Sequence, residues 1–157
     1  MYEIRKVEEK DLEILAGIMV EVFTMADPSK PWSKDGAQKY LEYWFEKQPD
    51  MFFVAYNEEK SPIGAVATNI KPWRTSVRCT DGVVFVSAHH QKKGVASMLL
   101  KTVLGEAMQK YGVSEIEAIT FAGEEFPLGW YKKLGLTPDS HAVIIKGKCH
   151  EILNNLG

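Results

Sequence analysis

Residues 81–104 constrain this chain more than any other stretch. Val83, Val84, Phe85 and Val86 are consecutive β-formers. A polar passage follows, Ser87, Ala88, His89 and His90, and then Gln91, Lys92, Lys93, Gly94, Val95 and Ala96. Val95, Met98, Leu99, Thr102 and Val103 then fall at i, i+3, i+4, i+7 and i+8, which is one face of a helix. The unit reads as strand, tight turn and helix. A helix start leaves amides without intrahelical acceptors, at the end of a dipole that favours anions. Gly94 and Ala96 put no bulk in front of those amides. Such a turn suits a phosphate group. The plain alternative is an ordinary strand–turn–helix carrying a solvated lysine pair.

Composition narrows the remaining classes. A chain of 157 residues is expected to be one domain, residues 1–157, with a sizeable core. Its 45% apolar and 25% charged residues are those of an ordinary globular protein. A net charge of −2 gives no general attraction to nucleic acid or to an anionic membrane, so neither is an expected partner. No apolar run is long enough to span a bilayer. The start, Met1 to Lys6, reads as a charged strand and not as a signal peptide. Cys79 and Cys149 form no CxxC or Cys/His spacing, so reduced thiols and a cytoplasmic location are expected.

Along the chain, residues 2–6 read as a strand. Leu12, Leu15, Ala16, Met19, Val22 and Phe23 mark a helix over about residues 9–23, which Pro28 and Pro31 prevent from continuing. Ser33 is the expected N-cap of a second helix carrying Ala37, Tyr40, Leu41, Trp44 and Phe45 on one face, ended by Pro49. Residues 51–56 and 62–70 read as a hairpin, and residues 71–74 as a loop. Residues 75–86 carry strand signal interrupted at Asp81-Gly82, by a turn or a bulge. The helix after the phosphate turn should stop near Gly112, a C′ residue. Residues 113–121 read as a strand, residues 127–134 as a short helix opened by Pro127, and residues 141–146 as a last strand. The tail, residues 149–157, reads as a frayed helical turn.

Gln91-x-x-Gly94-x-Ala96, between a strand ending in Phe85-Val86 and a hydrophobic helix, resembles motif A of the GNAT N-acetyltransferases. There is no Gly-Lys-Ser/Thr and no Gly-x-Gly-x-x-Gly, so the nucleotide-binding motifs do not fit. Trp130-Tyr131-Lys132-Lys133-Leu134-Gly135-Leu136 resembles the family's second signature, with Leu136 where Phe is usual. The element order β-α-α-β-β-β-α-β-α-β is also similar to that fold. The resemblance therefore extends over nearly the whole chain. It implies an α/β (α+β) fold with a mixed, mostly antiparallel sheet flanked by helices. It also implies acetyl-CoA as co-substrate and direct transfer to an amine acceptor, a small molecule or a peptide, in a ternary complex. A homodimer is compatible with it. The loop Pro31-Trp32-Ser33 is weakly similar to that of aminoglycoside 6′-type acetyltransferase relatives.

By the resemblance, the strands at residues 83–86 and 113–121 would splay apart around coenzyme A. Val84, Phe85 and Val86 would offer backbone groups to the pantetheine arm. Gln91 opens the phosphate turn, and the amides of Lys92, Lys93, Gly94, Val95, Ala96 and Ser97 would hold the pyrophosphate. Lys92 and Lys93 either neutralise phosphate or are solvated. His89 and His90 belong to a polar turn, since adjacent residues diverge and no third ligand is spaced for a metal. Tyr131 would act on the departing thiolate; its alternative is a packing tyrosine. The base is open among Asp81, Glu117, Glu124 and Glu125. Thr80 stands about where some histone-modifying members carry glutamate, and it cannot take that role. Glu124 and Pro127 also depart from the family, standing about where many relatives have asparagine and alanine. Trp32, Trp44, Trp73, Glu21, Asp27 and Asp35 are candidates for the acceptor side, with core and surface roles as their alternatives. A rival from another class is an acyl-CoA-binding module without chemistry.

Overall fold

The computed structural model describes residues 1–123 and 125–156. Two compact units divide it, Met1–Ile119 and Thr120–Gly157. The first holds a five-stranded sheet in the order β1-β2-β3-β4-β5. Its strands are β1 (Glu3–Lys6), β2 (Phe52–Tyr56), β3 (Pro62–Trp73), β4 (Ser76–Val86) and β5 (Glu115–Ile116). The first four are antiparallel neighbours, and β5 pairs parallel with β4. Its helices are α1 (Leu12–Ala26), α2 (Lys34–Lys47) and α3 (Val95–Tyr111).

The period-two rule assigns the two cores. Phe52, Val54 and Tyr56 of β2, Ala65 and Ala67 of β3 and Phe85 of β4 pack with Leu12, Leu15, Met19, Leu41 and Trp44 of α1 and α2. Phe53, Ala55, Val66, Cys79 and Val86 point to the other face, against Val95, Leu99, Val103 and Ala107 of α3. The buried stripe of α3 is thus its i+4 row, and Met98 stays 38% exposed. Ser33 caps α2 as expected, its Oγ accepting from Gly36 N at 2.9 Å. Gly112, at φ +64, closes α3: its amide donates to Met108 O at 3.1 Å, and that of Val113 to Ala107 O at 3.4 Å.

The chain departs from the sequence reading in several places. The first helix proper starts at Leu12, after a 3₁₀ turn at Glu9–Asp11. Residues 71–73 extend β3 and are not a loop; the turn to β4 lies at Arg74 and Thr75. Asp81-Gly82 is a bulge inside a continuous β4. Asn69 pairs with Thr80 and Ala67 with Val83, which leaves both residues opposite Thr68. Asp81 adopts φ +56, and a Cβ on Gly82 would lie 2.8 Å from Ala67 O, so the position admits only glycine. The strand expected at residues 113–121 shrinks to Glu115–Ile116, because the bulge re-aims β4 just past their pairing.

The second unit contains α4 (Leu128–Lys133) and α5 (Cys149–Leu156). The last strand expected at residues 141–146 does not form. Val143 and Ile145 are more than four-fifths exposed, and a strand without a ladder partner leaves its amides and carbonyls unpaired. The final element is instead α5, a regular helix where only a frayed turn was expected.

Candidate functional site

The end of β4 and the turn after it form one continuous surface. Ser87 N donates to Ile63 O at 2.8 Å, in register with the Ala65–Phe85 pair. Antiparallel pairing alternates, so the backbone N–H and C=O of Phe85 point into β3, and those of Val84 and Val86 point to the other edge. On that edge the last rung to β5 is Glu117 N donating to Cys79 O at 2.8 Å. Among the described residues no strand pairs with β4 beyond it on that side. The bulge makes this possible. Before it, Val77 and Cys79 face β5; after it, the even-numbered residues do. Phe85 therefore offers no free backbone group. It contributes a buried ring, 6.3 Å from that of Phe23.

Gln91 fastens the turn to this edge, its Nε2 donating to Val86 O at 2.9 Å. Lys92 and Gly94 both take positive φ, +60 and +82. The backbone thus reverses within three residues and enters α3 at Val95. The first intrahelical bond is Met98 N to Gly94 O at 3.0 Å. The amides of Val95, Ala96 and Ser97 precede it, so the helix gives them no acceptor. Val95 is buried and anchors the helix start, while Lys92, Lys93, Gly94 and Ser97 are exposed. A Cβ on Gly94 would meet nothing within 4 Å, so only its φ favours glycine there. His90 is fixed within the preceding turn by Ser87 Oγ at 2.9 Å and by the edge of the Tyr2 ring.

Where the sheet forks, Thr80 Oγ1 donates to Glu117 Oε1 at 3.1 Å, and Arg78 Nη1 to Glu117 Oε2 at 3.3 Å. Arg78 Nε donates to Glu115 at 2.6 Å. Spacing along the sequence cannot reveal this cross-strand clamp. Among the acceptor-side candidates, Trp44 is core. Trp32 and Tyr40, with ring centroids 5.2 Å apart, are half-buried against the same cluster. Burial pushes the Tyr40 phenol up. Trp73 lies beneath the cations of Lys71 and Arg78. Asp27 binds Ser29, and Asp35 pairs with Lys39, which satisfies both acids locally.

Tyr131 belongs to the second unit, on α4. Its amide donates to Pro127 O at 3.1 Å, and its ring lies 5.0 Å from that of Trp130. Burial pushes the phenol up. Glu124 lies outside the described residues.

Several solved structures share this fold. A possible acetyltransferase from Clostridium difficile 630 superposes with a TM-score of 0.75 at 13% identity, covering 96% of this chain and 99% of that one. A transcriptional regulator from Bacillus halodurans C-125 gives 0.74 at 20% identity, over 94% and 100%. A predicted acetyltransferase from Clostridium acetobutylicum, solved with acetyl-CoA, gives 0.69 at 15% identity, over 93% and 96%. No curated protein matches the sequence. The model of the acetyltransferase (GNAT) family matches residues 18–136, from α1 through α4. The chain, with its forked sheet and its glycine turn into α3, belongs to the GNAT acetyltransferase family.

Proposed function

We propose that the protein is an acetyl-CoA-dependent N-acetyltransferase that transfers the acetyl group directly to a primary amine in a ternary complex. One observation carries this reading. The free edge of β4 at Val84 and Val86 runs without a break into the glycine turn, through the bond from Gln91 to Val86. Amides and carbonyls pointing off a strand edge suit the amide-bearing pantetheine arm, which can add like a short strand. The amides from Lys92 to Ser97 suit the pyrophosphate, with Lys92 and Lys93 supplying positive charge beside it. The co-substrate brings the activated thioester. Backbone N–H groups near Val84 and Val86 stabilise the oxyanion that forms as the amine attacks. Both cysteines are free thiols, Cys79 buried and Cys149 exposed, which fits a reducing, cytoplasmic setting.

Tyr131 acts on the departing thiolate. Burial raises its phenol and so keeps the proton in place. That suits a hydrogen bond to the thiolate better than complete proton transfer, which is already uphill from a phenol near 10 to a thiol near 8.5 (approximate free-group values). Tyr131→Phe tests the assignment, because it removes only the hydroxyl. Acetyl-CoA affinity by calorimetry should hold while turnover falls on the order of 10²-fold. Unchanged turnover would leave Tyr131 a packing residue. Cofactor binding without CoA release from the wild-type chain would favour a binding module.

A further inference from the structure

The proposed reaction needs a base. An alkylamine has a pKa of roughly 10.4 and arrives as an ammonium ion without a lone pair to attack with. We propose that Glu117 is the group that takes this proton, an assignment that rests on the acetyl-transfer reading above. Its place in the fold carries the argument. The Glu117 amide makes the last bond between β5 and β4, so its side chain stands where the sheet opens. Cys79 faces α3 and is fully buried; its neighbours Arg78 and Thr80 therefore face the opposite side of the sheet, and Glu117 joins them there. That is the side on which α1 and α2 pack, where half-buried Trp32 and Tyr40 lie.

The carboxylate is both held and reachable. Thr80 Oγ1 donates to one oxygen at 3.1 Å and Arg78 Nη1 to the other at 3.3 Å, while 58% of the side chain remains exposed. Two donors fix its direction without using all of its lone pairs. Threonine at position 80 cannot act as a base, but its hydroxyl steers one in from the neighbouring strand. Glu115 sits one rung back from the opening, paired with Arg78 at 2.6 Å.

Glu117 accepts one proton from the ammonium nitrogen, directly or through a water, and releases it to solvent. The freed lone pair forms the nitrogen–carbon bond at the thioester carbonyl. The carbon–sulfur bond breaks with its electron pair leaving on sulfur, and the second nitrogen proton ends on that thiolate. Amide, free thiol and one solvent proton result.

Glu117→Gln keeps the shape and the acceptor for Thr80 but cannot take a proton. With an amine that the wild-type chain acetylates, acetyl-CoA affinity should stay within about threefold, and kcat/KM at neutral pH should fall by about 10²- to 10³-fold. The deficit should shrink as pH rises toward the amine pKa, because solvent then supplies free amine. Glu115→Gln should show neither effect. Glu117→Ala should regain rate on addition of formate, which keeps the question answerable if the glutamine variant folds poorly. A wild-type rate in Glu117→Gln, a deficit equal at every pH, or an alanine variant that formate does not rescue would each overturn the assignment and leave the acetyl-transfer reading standing. A wild-type chain that acetylates no amine would overturn both.

Discussion

Gly64 tests the geometry of the site from the strand behind it. It lies opposite Val86 in the β3–β4 ladder, and an added Cβ would stand 2.5 Å from Phe85 O and 3.0 Å from Val86 Cα. Both atoms are backbone, so no side chain can rotate away. A carbon–oxygen contact settles at about 3.3 Å or more, so Gly64→Ala must part the strands by roughly 0.8 Å at the site edge. Overpacking of this kind costs about 1–3 kcal/mol. At about 2–4 °C per kcal/mol for a chain of this size, melting should fall by several degrees. The displaced backbone is that of Phe85 and Val86, so acetyl-CoA affinity should fall as well. Calorimetric melting and titration on one preparation measure both. An alanine variant that melts at or above the wild-type temperature and binds as tightly would refute the close approach and the role given to this edge.

Gly94→Glu places bulk and negative charge in the phosphate turn at φ +82; acetyl-CoA binding by titration should be lost while circular dichroism keeps its wild-type form. A Cβ added at Gly17 in α1 or Gly105 in α3 would meet nothing within 4 Å, and neither residue has a positive φ, so alanine at either should stabilise by up to about 1 kcal/mol in denaturant melts. Burial opposes ionisation of Asp50, but bonds from Lys110, Tyr111 and Gln48 outweigh it and hold the carboxyl well below its usual range. A depressed carboxyl stabilises above its unfolded pKa, near 3.9, and that stability is lost as pH falls below it. The melting temperature of Asp50→Asn should therefore depend less steeply on pH between about 5 and 2 than that of the wild type.

Local chemistry was the legible part of this protein. Val83 to Val86, Gly94, the α3 stripe, the Ser33 cap and Gly112 all announce themselves within a few residues, and the elements they mark stand where expected. What depends on a second strand did not show. Asp81-Gly82 could have been a turn or a bulge, and the choice decides whether Phe85 or its neighbours face the open edge. The need for glycine at position 64 comes from a strand about twenty residues away in the chain. Glu117 became distinctive only when Thr80 and Arg78 closed on it. The apolar run at residues 142–145 carries strand propensity, but propensity supplies no ladder partner.

The central claim is transfer of acetyl from coenzyme A to an amine. The most direct measurement incubates the wild-type chain with acetyl-CoA and a panel of small-molecule and peptide amines, following free thiol and the mass of each amine. Amine-dependent thiol release above the no-amine background is expected, matched by acetylation of the same amine. Tight acetyl-CoA binding with no thiol released and no amine modified across the panel would contradict it.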